Sequence, residues 1–311
     1  MSNRILVLLF TFIALLLAAT IFLLFKGWDL NKAVKKEPLT DVMTFVEGMN
    51  YAMPVPIPDS LTFSGEPVPT DIFYVREQLD RDLTVNTYWH SSTILNLKRA
   101  HRWFPVIEPI LKKNGIPDDF KYVALIESGL LNVISPSGAT GFWQFLEKTG
   151  EEYGLLINKE VDERYHVSKS TEAACKYLND AYAKFNNWTL VAASYNAGQN
   201  RIKETIEKQK VRNFYQMHLN GETSRYIYRI LAMKSIYENP LKHGFKLEIG
   251  DLYDPIEVNL IKVTSTINDL PAFAHKQKTT YRILKELNPW LRSDKLTVRR
   301  GKEYLIALPV K

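Results

Sequence analysis

The sequence predicts a mainly α-helical protein that follows one membrane helix and ends in a small βααβ module. Three observations carry that expectation. Residues 5–25 form an unbroken run of 21 without a charge, which at about 1.5 Å per residue spans a hydrocarbon layer of roughly 30 Å. Between residues 71 and 250, apolar side chains recur three and four apart, as helices with one buried face require. After residue 256 the pattern becomes strand-like alternation, two short helical stretches, and alternation again.

In chain order, residues 1–30 read as a membrane anchor or an uncleaved signal helix. Leu17-Ala18-Ala19 offers a cleavage site, but a cleavable apolar region usually runs only about 7–15 residues, so length favours an anchor that is kept. Arg4 precedes the run, whereas Lys26, Lys32, Lys35 and Lys36 follow it. That charge order opposes export of the remainder. Residues 31–70, with Pro38, Pro54, Pro56, Pro58, Pro67 and Pro69, read as a stiff connector outside the core.

A helical domain is expected over 71–250. Ile94, Leu97, Trp103, Ile107 and Leu111 supply one apolar face before Gly115 ends the element. Further helices are expected near 170–185, 189–195, 201–208 and 222–237. In the tail, Ile256, Val258 and Leu260 alternate with polar neighbours as a half-buried strand, and Tyr304 to Leu308 gives a second strand. Leu270-Phe273-Ala274 and Ile283-Leu284-Leu287 mark two helices between them. The module is bounded as 256–311.

The net charge of +6 comes entirely from this tail, which has eleven Lys or Arg and five Asp or Glu. On charge alone, an acidic wall polymer, anionic lipid and nucleic acid suit it equally. The six histidines form no His-Glu-x-x-His pair, and no Gly-x-x-x-x-Gly-Lys loop is present, so neither a metal nor a nucleotide cofactor is expected. The single cysteine, Cys175, falls inside a helical pattern and reads as core.

Chemistry is expected at Glu127. A helix starting at Pro117-Asp118-Asp119 has a first-turn proline and acids suited to a helix N-terminus. Counting from Phe120 through Val123 and Ala124 puts Glu127 on the same apolar face. Desolvation there disfavours the carboxylate and keeps a proton available for general-acid work. Taken alone, such a glutamate is more often a satisfied structural carboxyl, but three further blocks follow it. Ser135-Pro136-Ser137-Gly138-Ala139-Thr140-Gly141-Phe142-Trp143-Gln144 is a turn whose glycines expose backbone donors, with Trp143 as a flat apolar surface. Ala193-Ser194-Tyr195-Asn196-Ala197-Gly198 ends a helix, and Glu222-Thr223-Ser224-Arg225-Tyr226 opens another.

Together the four ordered blocks resemble the lytic transglycosylases of glycoside hydrolase family 23, most closely their membrane-bound murein transglycosylase D group. The resemblance covers roughly 71–237. It implies a goose-lysozyme-like helical fold and cleavage of the MurNAc-β-1,4-GlcNAc bond of peptidoglycan. Glu127 aligns with the catalytic glutamate, and Ser135, Gln144, Tyr195, Asn196, Glu222 and Tyr226 with substrate-contacting positions. The tail resembles a LysM module through Leu287-Asn288-Pro289 and Ser293-Asp294-Lys295-Leu296, but Thr264-Ser265-Thr266-Ile267 replaces its usual Gly-Asp-Thr opening. Glycan binding and a structural role both stay open for it.

In the family's scheme a lone acid works with the substrate's own acetamido group and leaves a 1,6-anhydro end. The implied partners are peptidoglycan strands, with the membrane met through the N-terminal helix and no nucleic acid. The implied place is the cell envelope, anchored in the inner membrane with the catalytic part in the periplasm, or exported after cleavage. A hydrolytic muramidase and a non-catalytic peptidoglycan-binding protein are the alternatives.

Overall fold

The computed structural model describes residues 54–310, together with Leu17 and Thr20. Apart from Leu17 and Thr20, the expected membrane helix and the connector up to residue 53 lie outside the described residues. Among the described residues no helix is long and apolar enough to cross a membrane. The chain divides at Met53, and the unit Pro54–Lys311 carries the helical core and the C-terminal module.

Helix α1 (Phe73–Tyr88) buries Val75, Leu79, Asp82 and Leu83, a stripe at helical spacing that lies against α8 (Gly221–Glu238). Helix α2 (His90–Lys113) buries Leu97, Ala100, Phe104, Ile107 and Leu111 and ends on Lys112 and Lys113, cations suited to the negative end of the dipole. Gly115 then turns the chain at φ 70°. A 3-10 turn, Asp118–Phe120, leads into the eight-residue α3 (Lys121–Ser128), which packs between α2 and α8.

Beyond the turn-rich stretch and the short α4 (Glu147–Glu152) come α5 (Val167–Phe185), α6 (Trp188–Ala197) and α7 (Gln199–Gln209). Helix α6 is buried from Thr189 to Ser194, so it is apolar nearly all round, as a central helix must be. Asn187 caps it through Leu190 N, and Asn220 caps α8 through Thr223 N. The expected helices thus stand within a few residues of their predicted bounds.

The connector expectation needs correction over residues 54–70. Val55, Phe63 and Val68 belong to the main core, and Phe63 is 0% exposed, with its ring 5.3 Å from that of Phe120. A two-residue ladder, β1 (Thr62–Phe63) with β2 (Glu66–Pro67), makes the turn. Glu66 then accepts hydrogen bonds from Trp188 N and Thr189 N at 2.6 and 2.9 Å, capping α6 from 122 residues away in sequence. Proline density marks a restricted backbone. It does not by itself mark an unpacked one, since the residues between the prolines are free to bury.

The C-terminal module has the predicted order: β3 (Val258–Val263), α9 (Leu270–Lys276), α10 (Tyr281–Leu287) and β4 (Tyr304–Pro309), with β3 and β4 antiparallel. The face of β3 is the reverse of the expectation. Ile261 and Val263 turn inward, whereas Ile256, Val258 and Leu260 are exposed, Leu260 at 60%. Successive residues of a strand point to opposite sides, so a one-residue phase error exchanges the two faces. The module's core also takes in Val161 and Tyr165 from the helical domain.

Candidate active site

Helix α3 is capped by Gly129 in the left-handed region at φ 62°, which ends it immediately after Glu127 and Ser128. Phe120, Val123 and Ala124 are fully buried, whereas Glu127 at the helix end is partly exposed. The apolar stripe therefore runs out at a partly exposed carboxyl. Tyr226 Oη donates to Glu127 Oε1 at 2.6 Å, and one turn further along α8 Arg229 Nη2 donates to Ile126 O at 3.0 Å. Desolvation raises the Glu127 pKa. The Tyr226 hydrogen bond and the Arg229 charge pull it down in part, and the Glu222 charge pushes it up. The balance leaves a carboxyl that keeps its proton to higher pH than an ordinary glutamate.

The turn between α3 and α4 is largely exposed from Leu131 to Gly138, so the rest of the protein has to hold it. Ser128 Oγ donates to Phe142 O at 2.9 Å and Tyr195 Oη to Trp143 O at 2.6 Å. Arg164 Nη1 donates to both Gly138 O and Phe145 O at 3.3 Å. Gly141 has φ 80°, and a Cβ added there would lie 2.1 Å from Arg164 O. Only glycine fits. Gln144 takes a positive φ of 49° without being glycine, an uncommon conformation that concentrates at functional positions.

The expected site residues fall into two groups. Glu127, Tyr226, Tyr195, Glu222 and Asn196 share one neighbourhood, since the Glu127 charge acts on both tyrosines and Asn196 Nδ2 donates to Glu222 Oε1 at 3.2 Å. Thr223 Oγ1 orients Asn196 through its Oδ1 at 3.0 Å. Ser135 and Gln144 belong to the turn. The Ser135 hydroxyl accepts from Ala139 N at 3.0 Å and pairs with Ser137 Oγ, so it builds the turn. Gln144 Nε2 donates to Gly141 O at 2.7 Å and Val133 O at 3.2 Å.

Two expectations about the turn are corrected. Trp143 is 0% exposed and its Nε1 donates to Thr171 Oγ1 at 2.9 Å. It is a core residue and presents no face to a ligand. The amides of Gly138 and Gly141 donate within the turn, to Ser135 O and Val133 O. Tyr195 directs its hydroxyl to a backbone carbonyl and leaves its ring among Trp143, Phe145 and Tyr177.

Arg229 and Arg164 were missed by sequence reasoning. For Arg229 the signal was present, because it stands three residues after Tyr226 and so shares its helix face. Arg164 carried none, since its partners lie 19 and 26 residues earlier in an irregular segment.

Comparison with known proteins fits this arrangement. Residues 104–218 match the family model described as Transglycosylase SLT domain, and residues 259–311 match that of the soluble lytic transglycosylase C-terminal LysM-like domain. The two matches fall on the helical domain and on the C-terminal module respectively. It is 30% identical over 183 residues to membrane-bound lytic murein transglycosylase D of Escherichia coli strain K12, covering 57% of this chain and 40% of that protein. The same figures hold for the protein of that name from Escherichia coli O6:H1. The chain thus spans about two fifths of the length of these curated relatives. Among solved structures, the 70 kDa soluble lytic transglycosylase SLT70 of Escherichia coli aligns with a TM-score of 0.39 and 17% identity, over 52% of this chain and 31% of its own. Lytic transglycosylase Slt of Pseudomonas aeruginosa, in an inactive mutant, aligns with a TM-score of 0.36 and 17% identity, over 60% and 36%.

Proposed function

We propose that the protein is a peptidoglycan lytic transglycosylase that cleaves the MurNAc-β-1,4-GlcNAc bond and leaves a 1,6-anhydroMurNAc end. The observation that carries this reading is the Glu127 carboxyl, desolvated at the end of α3 and held by Tyr226 Oη at 2.6 Å, within an SLT domain.

In this mechanism Glu127 gives its proton to the glycosidic oxygen as the bond to C1 breaks. The acetamido oxygen of MurNAc closes on C1, taking the place of the second carboxylate that most glycosidases supply. Glu127, now a carboxylate, removes the proton from the C6 hydroxyl. That oxygen displaces the acetamido oxygen from C1, and the anhydro ring closes without water.

Tyr226 orients the acid and moderates its pKa. Tyr195 packs beside the acid, and Asn196 and Glu222 present an amide and a carboxylate to sugar hydroxyl and amide groups. Gln144 has no hydrogen bond to Oε1 among the described residues, which leaves that oxygen for a ligand N–H or O–H. Ser135 shapes the turn that carries Gln144. The uncharged run 5–25 supports an anchor in the inner membrane, with the catalytic part in the periplasm where the polymer lies. The test is mass spectrometry of muropeptides released from purified peptidoglycan. Ends one water lighter than reducing MurNAc support the reading, and reducing MurNAc ends would make the protein a hydrolytic muramidase.

A further inference from the structure

The C-terminal module packs on a short segment of the helical domain, residues 157–166, and that segment also grips the turn of the candidate site. Val161 pairs with Leu291 as a β-bridge. Asp162 N donates to Trp290 O at 2.9 Å, and Arg292 N to Glu160 O at 2.8 Å. The Glu160 carboxylate accepts from Thr297 N at 2.8 Å and pairs with Lys295 at 3.1 Å. The His166 ring stacks on Trp290, and the Arg292 guanidinium lies 4.1 Å over the Tyr165 ring. Since Val161 and Tyr165 sit inside the module's own apolar core, the module is a packed continuation of the domain.

On its other side the segment ends in the buried pair Asp162–Arg164. Arg164 Nε donates to Asp162 Oδ1 at 3.0 Å and Nη2 to Asp162 Oδ2 at 2.7 Å, a fork-to-carboxylate fit that fixes the guanidinium plane. Its remaining nitrogen, Nη1, reaches Gly138 O and Phe145 O. Those two carbonyls bracket the stretch that carries Gly141, whose Cα lies against Arg164 O, and Gln144. One residue thus touches both ends of the turn, and its carboxylate partner is bonded through its own backbone to the module.

We propose that Arg164 is a positioning residue for the turn carrying Gln144, and that the C-terminal module, gripped by Glu160, holds Arg164 in place. The module then acts as a brace on the candidate site. The exposed limb of the turn, residues 131–138, opens at low free energy unless it is tied to the buried stretch of Phe142, Trp143 and Phe145. Arg164 supplies that tie without touching the substrate. For its catalytic consequence the proposal rests on the function proposed above; for its structural consequence it does not.

The test is hydrogen exchange on the full chain in Arg164→Lys, Glu160→Ala and Leu291→Asp, read together with turnover on peptidoglycan. Arg164→Lys keeps the charge but loses the fork. It is expected to speed exchange of the amides of residues 138–141 at least tenfold, with α5 unchanged. Glu160→Ala and Leu291→Asp are expected to release the Arg292 amide and, with it, the same turn amides. All three are expected to raise KM for peptidoglycan severalfold while the pH limb set by Glu127 stays in place. Turn amides that stay protected in Arg164→Lys, or that stay protected while the Arg292 amide is released, would overturn the proposal. So would an Arg292 amide that remains protected in both module variants. If the wild-type protein releases no anhydro product, the functional reading fails while the exchange result still decides the brace.

Discussion

Tyr226 and Glu127 face each other across 99 residues of sequence, the phenol hydroxyl donating to the carboxyl at 2.6 Å. The bond joins the fourth block of the sequence to the first and sets the state of the proton donor. A phenol donating to a carboxylate favours the charged form, so it offsets part of the desolvation that raises the Glu127 pKa. In Tyr226→Phe that offset is lost and the pKa rises further. The alkaline limb of the pH–rate profile, where the general acid loses its proton, should move to higher pH. The rate at its optimum should fall about 10- to 100-fold, in line with roughly 1.5–3 kcal/mol for a hydrogen bond to a charged group. A limb that moves to lower pH would contradict this assignment.

Gly141 is expected to tolerate no side chain. Alanine there brings a Cβ to 2.1 Å from Arg164 O and holds it at φ 80°. Overpacking and left-handed strain together should cost about 3 kcal/mol, read as a lower midpoint in urea. Gly138 shares the positive φ but has open space around it, so Gly138→Ala should cost about 1 kcal/mol.

His166 gives the brace a pH dependence. Burial, assisted by Lys169, pushes its pKa from 6.5 down to about 4. Between those values the unfolded chain binds a proton that the folded one refuses, so stability is full above about pH 6.5 and falls as pH drops toward 4. At about 1.4 kcal/mol per pH unit the loss is at most about 3.5 kcal/mol. Thermal unfolding at pH 7 and pH 4.5 should therefore separate more in the wild type than in His166→Phe, which keeps the stack on Trp290. Equal separations would argue against the buried neutral ring.

The segment before α1 should behave as core. Phe63→Ala is expected to cost about 3–5 kcal/mol, as for other fully buried aromatics. Glu66→Ala, which removes the acceptor for Trp188 N and Thr189 N at the start of α6, should cost about 1 kcal/mol. Both are measured by denaturant unfolding, and near-zero values would return residues 54–70 to the status of a spacer.

Much of this architecture was legible in the residues. Helices declare themselves through a stripe three and four apart, so α2, α5, α6, α7 and α8 emerge with bounds within a few residues. Glu127 stood out because a carboxyl interrupted such a stripe. The misreadings share a physical origin in partners that are distant in sequence. Phe63 is buried against Phe120, Trp143 donates to Thr171 and Arg164 reaches back to Gly138; none of these pairs obeys a short period. The face of β3 was lost for a different reason. Ile256, Val258 and Leu260 are as apolar as Ile261 and Val263, so alternation alone could not say which set turns inward.

The central claim, that Glu127 is the proton donor, is tested most directly in Glu127→Gln. The amide still accepts from Tyr226 but has no acidic proton, so peptidoglycan cleavage should fall about 10²–10⁴-fold. The folded protein should also become more heat-stable at pH 7. A raised native pKa means the native state binds more protons than the unfolded one as pH rises above 4.5, so the wild-type acid subtracts stability there, and glutamine removes that cost. Lost cleavage with a higher melting temperature at pH 7, and a smaller gain near pH 4, is the predicted result. Cleavage retained at the wild-type rate by a folded Glu127→Gln protein would contradict the account.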